Sequence, residues 1–531
     1  MKQYKIGLFL GVGLSNLVPF AIAGGHTGSE VKKPNVVFFL VDDLGWTDVG
    51  CYGSKFYETP NIDRLAKEGV RFTNAYSAGH VSSPTRASIL TGKYPATLNL
   101  TDWLPGRNDG PSQKLKNAVI NQHLPYAEIT IAEALKKQGY ATALYGKWHL
   151  GDAPSIPEAH GFDLHIPQNW QKGWPKSGYL FPFKLDGIEA KEGDYLTDKL
   201  TDEALKFVEK NRDTPFLLYL SHFAVHDPIQ GRPDLVQKYT EKLKKMSPQE
   251  GPPYILEGNP DALDPVSQAK ALKMLQEDNC QGYSQLPKQM VKIKQHQDNV
   301  QFAAMVESMD ESLGRVMARL EELGLADNTI VIFVSDNGGM SAANGIPKRV
   351  VTEKMLDVAF STSNLPLRGG KGWLYEGGIR VPTIVKWPGR GKKGTSCDVP
   401  VISVDFYPTI LDMLGLKVPA EQKPDGVSIT SLLKGEKKLD RDAIYWHFPH
   451  YSNHGLQSPG GAIRSGDYKL LEYFENKTVQ LYNLKEDLSE RNDISASNPK
   501  KADELLTKLH QWRAKINAQM MGPNPEYKSN E

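Results

Sequence analysis

The chain has 531 residues, with 63 Lys and Arg against 62 Asp and Glu, so its formal net charge is +1. This balance excludes a nucleic-acid partner held on a basic face. A hydrophobic fraction of 40% and a mean hydropathy of −0.44 exclude a disordered or membrane-embedded chain, and the length predicts two domains or one large elaborated domain.

Residues 1–23 have the pattern of a secretory signal peptide. Lys2 and Lys5 precede an apolar run at residues 6–14, and an A-x-A cleavage pattern ends at Ala23. A buried helix and an uncleaved anchor are the alternative interpretations, but the run is shorter than the roughly 20 apolar residues of a membrane span. We expect cleavage after Ala23 and an exported protein, periplasmic or secreted, without stable membrane insertion.

Four short apolar runs predict buried strands, at residues 35–41, 141–145, 216–220 and 329–334. Runs without alternation fit strands that are covered on both faces, as in a parallel sheet. Two amphipathic patterns, at residues 129–138 and 300–323, predict helices, since a glycine follows each of them. This succession predicts an α/β core, with any site at the carboxyl ends of the strands.

Two other segments depart from this pattern. Residues 230–296 are rich in Lys, Gln and Pro and show no clear strand, which indicates an insertion that borders the mouth of the site. Short strands are predicted at 443–446, 469–473 and 478–482, followed by a helix at 499–516. We therefore expect a main domain at 33–438, a small C-terminal subdomain at 439–520 and a loose tail at 521–531.

The segment Ser82–Gly92 has the sequence SSPTRASILTG and reads locally as the start of a helix. Ser83 is the predicted N-cap, Pro84 takes the first helical position, and Gly92 ends the helix. Ser82 is then just ahead of a helix N-terminus, where unpaired N–H groups favour an anion. Taken alone, the segment also fits a capped surface helix.

The same segment resembles the signature of the type I sulfatases, which depend on formylglycine: Cys or Ser, any residue, Pro, Ser or Thr, Arg, three residues, then Leu-Thr-Gly. In this family the first residue, here Ser82, becomes formylglycine (3-oxoalanine). A serine there resembles the bacterial subclass matured by a radical-type sulfatase-maturating enzyme.

The similarity runs from about Asn35 to about Pro408. The enzymes that this part of the chain resembles are bacterial carbohydrate sulfatases of the arylsulfatase A-like kind. It implies an alkaline-phosphatase-like α/β fold. In that fold a mixed sheet is sandwiched by helices, and here it is accompanied by the smaller C-terminal subdomain of antiparallel strands and one helix.

The resemblance also implies a divalent metal. Asp42 and Asp43 follow the first predicted strand, and Asp336 and Asn337 follow a late one, where by themselves they fit polar strand ends or turns. By resemblance these four residues bind the metal together with the formylglycine formed from Ser82. The all-oxygen donor set suits Ca²⁺, in preference to Mg²⁺, and does not suit Zn²⁺.

Five further residues take catalytic roles by resemblance. Lys147 and Lys371 bind the sulfate, and Arg86 holds the formylglycine and neutralises charge. His149 assists the formylglycine hydroxyl during elimination, and His226 protonates the leaving oxygen. Such a set of cations around one oxyanion is the preorganised electrostatics that the transfer needs. If the chain stays extended beyond its strand, Lys147 and His149 point the same way.

The predicted reaction is hydrolysis of a sulfate ester on a sulfated polysaccharide or oligosaccharide. Trp103 and Arg107, soon after the signature helix, and His450, at the start of the subdomain, are candidates for contact with the sugar, although loop packing explains them equally. Two alternatives remain open. One is a phosphatase or phosphodiesterase of the same superfamily that uses unmodified Ser82, and the other is a sulfated-glycan-binding protein without turnover.

Overall fold

The four predicted apolar runs form neighbouring strands at the centre of one large sheet. The computed structural model describes residues 32–168, 175, 177–183, 186–264, 267, 270, 273, 291–342, 360–452 and 457–528, so the predicted signal peptide lies outside the described residues. Residues Lys33–Glu531 belong to one compact unit. Among the described residues, no helix has the length and apolar character of a membrane span.

The strands, in chain order, are β1 (Asn35–Val41), β2 (Val70–Phe72), β3 (Ala75–Tyr76), β4 (Leu115–Lys116), β5 (Ala141–Gly146), β6 (Leu164–Ile166), β7 (Phe216–Ser221), β8 (Tyr254–Glu257), β9 (Val291–Lys294), β10 (Thr329–Ser335), β11 (Thr383–Lys386), β12 (Thr395–Cys397), β13 (Val401–Ile402), β14 (Ile444–Phe448), β15 (Gly460–Ser465), β16 (Tyr468–Tyr473), β17 (Val479–Asn483) and β18 (Gly522–Pro523). The α-helices are α1 (Pro60–Glu68), α2 (Ser82–Thr91), α3 (Ile131–Lys136), α4 (Leu196–Lys210), α5 (Pro233–Lys245), α6 (Val300–Glu322), α7 (Glu376–Ile379), α8 (Phe406–Met413), α9 (Thr430–Leu433) and α10 (Pro499–Lys515). Short 3₁₀ helices span Gly50–Tyr52, Pro157–His160, Ala326–Asn328 and Ser403–Asp405.

The large sheet has the strand order β12-β2-β11-β10-β1-β7-β5-β6. Its central strands β10, β1, β7 and β5 are parallel, as the unbroken apolar runs predict. Strand β11 is antiparallel to both β10 and β2, which makes the sheet mixed. Because the parallel strands share one direction, their carboxyl ends meet at the same edge.

Helices cover both faces of this sheet. The ring of Phe38 in β1 lies 5.5 Å from Phe406 of α8, whereas its neighbour Phe39 contacts Phe333 of β10 and His222. Helix α6 contacts α1, α4 and α5, and α2 contacts α3 and α8. Every residue of β1 is buried, as a strand with no solvent-facing side requires.

The C-terminal region contains the predicted antiparallel sheet, with the order β14-β15-β16-β17, and the predicted helix α10. Leu505, Leu509 and Trp512 of α10 belong to the same hydrophobic cluster as Ile444 and Leu470 of the sheet. Strand β15 was missed by the sequence analysis, because its sequence GGAIRS starts with two glycines and has little β propensity.

The predicted insertion is more regular than expected. Helix α5 occupies Pro233–Lys245, and strands β8 and β9 pair as an antiparallel ladder in which Ile255 is opposite Ile293. Glu257, at the end of β8, accepts a hydrogen bond of 2.9 Å from Arg368, three residues before Lys371. The insertion therefore contacts the segment that carries Lys371, and its place at the mouth of the site stays a prediction.

The end of the chain departs from the predicted loose tail. Strand β18 pairs with β4, and the Asn524 side chain donates hydrogen bonds to the carbonyl groups of Gly110 and Gln113. Over its described residues, the segment after α10 is therefore held against the loop that follows the signature helix.

Candidate active site

Four carboxylate and amide side chains meet where β1 and β10 end. The two strands are parallel with Val41 opposite Ser335, so Asp42 and Asp43 emerge beside Asp336 and Asn337. The Asp43 N–H donates to Asp336 Oδ1 at 3.2 Å, and Asn337 Nδ2 donates to Asp43 Oδ1 at 2.7 Å. Asp43 has a φ of 61°, a left-handed conformation that is uncommon outside turns and functional sites.

Ser82 is the first residue of α2 and faces this cluster. The helix begins at Ser82 with Val81 as its N-cap, so the prediction of Ser83 as N-cap was wrong. Gly92 ends the helix in a left-handed conformation, as predicted. Ser82 Oγ donates to Asp42 Oδ1 at 3.1 Å, and the side chain of Ser82 is almost fully buried.

Lys147 reaches Ser82 from the end of β5. Its Nζ donates to Ser82 Oγ at 3.0 Å and to Asp42 Oδ2 at 2.5 Å. The strand ends at Gly146, which has a φ of 107° and on which a Cβ atom would lie 1.9 Å from the carbonyl oxygen of Ser221. Only glycine fits there, because β5 and β7 approach each other closely at this point. This close approach fixes the backbone position from which the Lys147 side chain extends. Burial lowers the pKa of Lys147.

Arg86, one turn along α2 from Ser82, pairs with Asp336. Its Nε and Nη2 lie 2.9 and 2.8 Å from Asp336 Oδ2, and its Nη1 donates to Ser221 Oγ at 2.6 Å. Burial alone would raise the pKa of Asp336, but the Arg86 guanidinium and the Lys147 ammonium hold it well below its usual range. Burial and the neighbouring Asp336 raise the pKa of Asp42 to about 6.

His149 is oriented by a backbone carbonyl. Its Nε2 donates to the Leu104 oxygen at 2.9 Å, since a carbonyl oxygen can only accept, and this assigns Nδ1 as the unprotonated nitrogen. Nδ1 is buried and has no hydrogen-bond partner within the described part of the chain. Burial and the nearby Lys147 charge lower the pKa of His149 well below its usual value. The condition of an extended chain is not met here, because β5 ends at Gly146 and His149 has a φ of 56°.

Lys371 and His226 complete the opposite side of the cluster. Lys371 Nζ donates to Asp43 Oδ2 at 2.8 Å and lies 2.9 Å from His226 Nε2, a distance at which one nitrogen donates a hydrogen bond to the other. His226 Nδ1 lies 2.8 Å from Asp227 Oδ1. Burial and the Lys371 charge lower the pKa of His226, but Asp43 and Asp227 outweigh them and the net shift is upward. The raised pKa favours an imidazole that can donate a proton.

The donor atoms fit a hard divalent cation. Oxygens of Asp42 and Asp43 and a nitrogen of His226 lie within 4.8 Å of one another, all buried. The Oδ1 atom of Asn337 is also buried, and among the described residues it has no hydrogen-bond partner. A buried amide oxygen without a partner, beside carboxylates, is expected where a cation supplies the missing contact. Asp42, Asp43 and Asn337 are predicted metal ligands, together with Ser82 and Asp336, whereas His226 was predicted as the acid and not as a ligand.

The structure thus brings together all the predicted metal and catalytic residues. Ser221 and Asp227, which hold Arg86 and His226, were missed by the sequence analysis. Asp227 could have been identified from the sequence, since it directly follows the predicted acid and precedes a proline. For Ser221 the only signal was its place after the apolar run of β7.

The three predicted sugar contacts lie on two loops that hydrogen-bond to each other. Trp103 is half-buried and Arg107 is exposed, and Arg107 Nη1 donates to the Ser452 carbonyl at 3.2 Å. His450 is only 2% exposed, and its Nε2 lies 2.7 Å from Thr101 Oγ1. A direct contact between His450 and a sugar requires this hydrogen bond to break, so its role stays a prediction.

As a whole, the site can bind a small oxyanion and transfer it. Lys147 and Lys371 supply two ammonium groups, and Arg86 a guanidinium. Ser82 occupies the position of a nucleophile beside these cations, His149 Nδ1 can accept a proton, and His226 Nε2 can donate one. This combination suits hydrolysis of an anionic ester.

Comparison with known proteins points to one family. A family model described as Sulfatase matches residues 34–416, and a model described as N-sulphoglucosamine sulphohydrolase, C-terminal, matches residues 370–519. A protein named Sulfatase from Formosa agariphila is 30% identical over 600 aligned residues, which cover 98% of this chain and 95% of that protein. The N-acetylglucosamine-6-O-sulfatase of Bacteroides thetaiotaomicron is 29% identical, with 91% of this chain and 86% of that protein covered.

Solved structures show the same likeness. The complex of Ps i-CgsB with k-i-k-neocarrahexaose has 28% identity and a TM-score of 0.67, over 91% of this chain and 93% of that one. BT4656 in complex with its substrate D-Glucosamine-2-N,6-O-disulfate has 25% identity and a TM-score of 0.63, over 92% and 98%. These neighbours confirm the predicted alkaline-phosphatase-like α/β fold.

Proposed function

Because the chain belongs to the sulfatase family of sulfuric ester hydrolases, we propose that it removes a sulfate ester from a carbohydrate, with formylglycine formed from Ser82 as the nucleophile. The observation that carries this proposal is the pair of hydrogen bonds at Ser82 Oγ, which joins it to the Asp42 carboxylate and the Lys147 ammonium. A nucleophile is thereby held between a metal ligand and a cation that can bind the sulfate.

The chemistry requires more than a serine hydroxyl, which is a weak nucleophile. A hydrated aldehyde at position 82 would supply one hydroxyl to attack sulfur, and deprotonation of its second hydroxyl would expel the sulfate and restore the aldehyde. His149 Nδ1 is the acceptor for that second proton, since its Nε2 is already committed to the Leu104 carbonyl. His226 Nε2 donates a proton to the leaving sugar oxygen, and Lys371 and Arg86 stabilise the developing negative charge.

The metal is part of the proposal. Ca²⁺, in preference to Mg²⁺, would be held by Asp42, Asp43, Asp336, Asn337 and the modified Ser82. When bound, a divalent cation would polarise the sulfate and favour the deprotonated nucleophile. The oxygen-rich donor set supports this choice over the zinc ions of the phosphatase alternative.

A sulfated carbohydrate is the substrate class that the relatives support. The Bacteroides relative is named for a sulfated amino sugar, and the two solved structures hold a neocarrahexaose and a glucosamine disulfate. We include Trp103, Arg107 and His450 in the proposal as candidate substrate-binding residues.

Export and maturation complete the proposal. The pattern of residues 1–23 supports secretion or transport to the periplasm after cleavage at Ala23. Since a serine, not a cysteine, occupies position 82, a radical-type sulfatase-maturating enzyme is the proposed partner.

Replacing Ser82 tests the proposal. Ser82→Ala should lower kcat on a sulfated oligosaccharide by at least about 10³-fold, because the nucleophile is lost. Ser88→Ala is the matched control: Ser88 lies on the same helix, and its buried Oγ has no hydrogen-bond partner among the described residues. This control should retain activity.

Mass spectrometry of the peptide that contains Ser82 should show the loss of two hydrogens in active protein. An intact serine combined with hydrolysis of phosphate esters at a higher kcat/KM than sulfate esters would disprove the proposal. Binding of sulfated glycans by an intact, inactive serine form would instead support the binding-protein alternative.

A further inference from the structure

A tight turn connects the nucleophile and the proton acceptor of the proposed mechanism. Leu104, at the middle of residues Thr101–Arg107, is buried and uses both of its backbone polar groups on the site. Its N–H donates to Ser83 Oγ at 3.1 Å, and its carbonyl accepts from His149 Nε2 at 2.9 Å. A shift of Leu104 therefore moves the ring of His149 relative to the helix that begins with Ser82.

Asp102 closes this turn from within. The side chain is only 2% exposed, and its Oδ1 accepts from the Trp103 N–H at 2.8 Å. The other carboxylate oxygen, Oδ2, lies 3.8 Å from the position that a Cβ atom on Gly106 would occupy, on the other side of Leu104. The buried carboxylate therefore lies between the two backbone segments that flank Leu104.

The outer side of the turn is fixed separately. Thr101 Oγ1 lies 2.7 Å from His450 Nε2, and Arg107 Nη1 donates to the Ser452 carbonyl. These two contacts tie the ends of the turn to the loop after β14. Neither contact involves Leu104, whereas the buried carboxylate of Asp102 lies inside the turn, between those ends.

We propose that Asp102 is a positioning residue for His149: its carboxylate orients the Leu104 carbonyl, which selects the tautomer with Nδ1 free to accept a proton. The inference rests on the proposed function for its catalytic consequence, but its geometric claim concerns the His149 ring alone. Selection of a histidine tautomer by the hydrogen bond at the other ring nitrogen is a general device of active sites.

The first test uses the unmodified Ser82 form, prepared without a maturating enzyme and labelled with ¹⁵N-histidine. The His149 signals, identified with His149→Asn, should show a protonated Nε2 and an unprotonated Nδ1. Asp102→Ala should give a mixture of tautomers, whereas Asp102→Asn, which keeps one acceptor, should be intermediate. Because this measurement needs no turnover, it separates failure of the inference from failure of the proposed function.

The second test measures turnover of matured protein on a sulfated oligosaccharide. Asp102→Ala should lower kcat by roughly 10- to 100-fold, the effect of a misplaced catalytic group, with KM changed by less than about twofold. Asp102→Asn should recover part of the loss. Asp109→Asn is the matched control, because Asp109 also accepts a backbone N–H, that of Asn117 at 2.8 Å, in the neighbouring loop.

A merely structural role for Asp102 predicts a different pattern. In that case Asp102→Ala would lower the melting temperature but leave the His149 tautomer of the folded protein unchanged. That result, or unchanged kcat in both Asp102 variants, would overturn the inference. If Asp102→Ala does not fold, a wild-type tautomer and wild-type kcat in Asp102→Asn would overturn it.

Discussion

Replacing Gly146 with alanine should lower both the stability and the activity of the protein. The added Cβ would lie 1.9 Å from the Ser221 carbonyl oxygen, whereas ordinary contacts begin near 3.4 Å, so the strand ends must separate by about 1.5 Å. Residue 146 also has a φ of 107°, where an L-residue costs about 1–2 kcal/mol. Overpacking adds about 1–3 kcal/mol, so we expect a total loss of about 2–5 kcal/mol.

The same displacement acts on catalysis. The Lys147 N–H donates to the Ser221 carbonyl at 2.7 Å, so separating the two strands moves the lysine that contacts Ser82. A misplacement of about 1 Å can lower a rate by about 100-fold. We therefore expect kcat on a sulfated oligosaccharide to fall by roughly two orders of magnitude in Gly146→Ala.

Gly139→Ala is the matched control. Gly139 has a φ of 82°, but no atom lies within 4 Å of the Cβ position, so only the backbone cost of about 1–2 kcal/mol applies. Denaturant unfolding gives the free energy for each variant, and initial rates at a temperature where both remain folded give kcat. Equal unfolding free energies for the two variants, with wild-type kcat in Gly146→Ala, would refute the reasoning.

Two other predictions concern metal and pH. Adding Ca²⁺ to chelator-treated protein, at 100 times the Kd, should stabilise the folded state by about 2.7 kcal/mol and so raise Tm. Asp43→Asn should reduce this rise in Tm. If Ca²⁺ changes Tm in neither protein, the metal site is contradicted. Burial raises the pKa of Asp310, which accepts hydrogen bonds from Asn61 and Ile62 at the start of α1, to about 7. The contribution of Asp310 to the free energy of unfolding is complete below about pH 4 and is lost as the pH rises through about 7. Asp310→Asn should therefore flatten the fall in unfolding free energy over that range. An unchanged slope of unfolding free energy against pH would contradict this prediction.

Much of the fold could be predicted because burial on both faces produces a simple pattern. The strands β1, β5, β7 and β10 are unbroken apolar runs, and their shared direction predicts that polar residues after them meet. The elements that were missed lack such a pattern. Strand β15 begins with two glycines, and β8 pairs with β9 across a long intervening segment, so neither shows a local signal.

Some residues of the candidate site could likewise be predicted from the sequence, and others could not. Residues at strand ends or in the signature helix, such as Asp42 and Ser82, could be located from sequence. The contact between Leu104 and His149 could not, because it joins a backbone carbonyl to a side chain 45 positions away. Backbone atoms are the same in every residue, so composition does not reveal which of them serves a site.

The burial of Ser82 restricts the stages of folding at which another protein could modify its side chain. Its side chain is only 3% exposed, and Lys147 and Asp42 enclose its hydroxyl. Under the proposed maturation, the enzyme that oxidises this serine would have to reach it before α2 packs against the sheet, or after the local structure has opened. A mutation that speeds folding would then shorten the interval for modification, and yield more folded but inactive protein. Under the proposed maturation, the folding rate of the protein and the fraction that carries formylglycine would thus be linked.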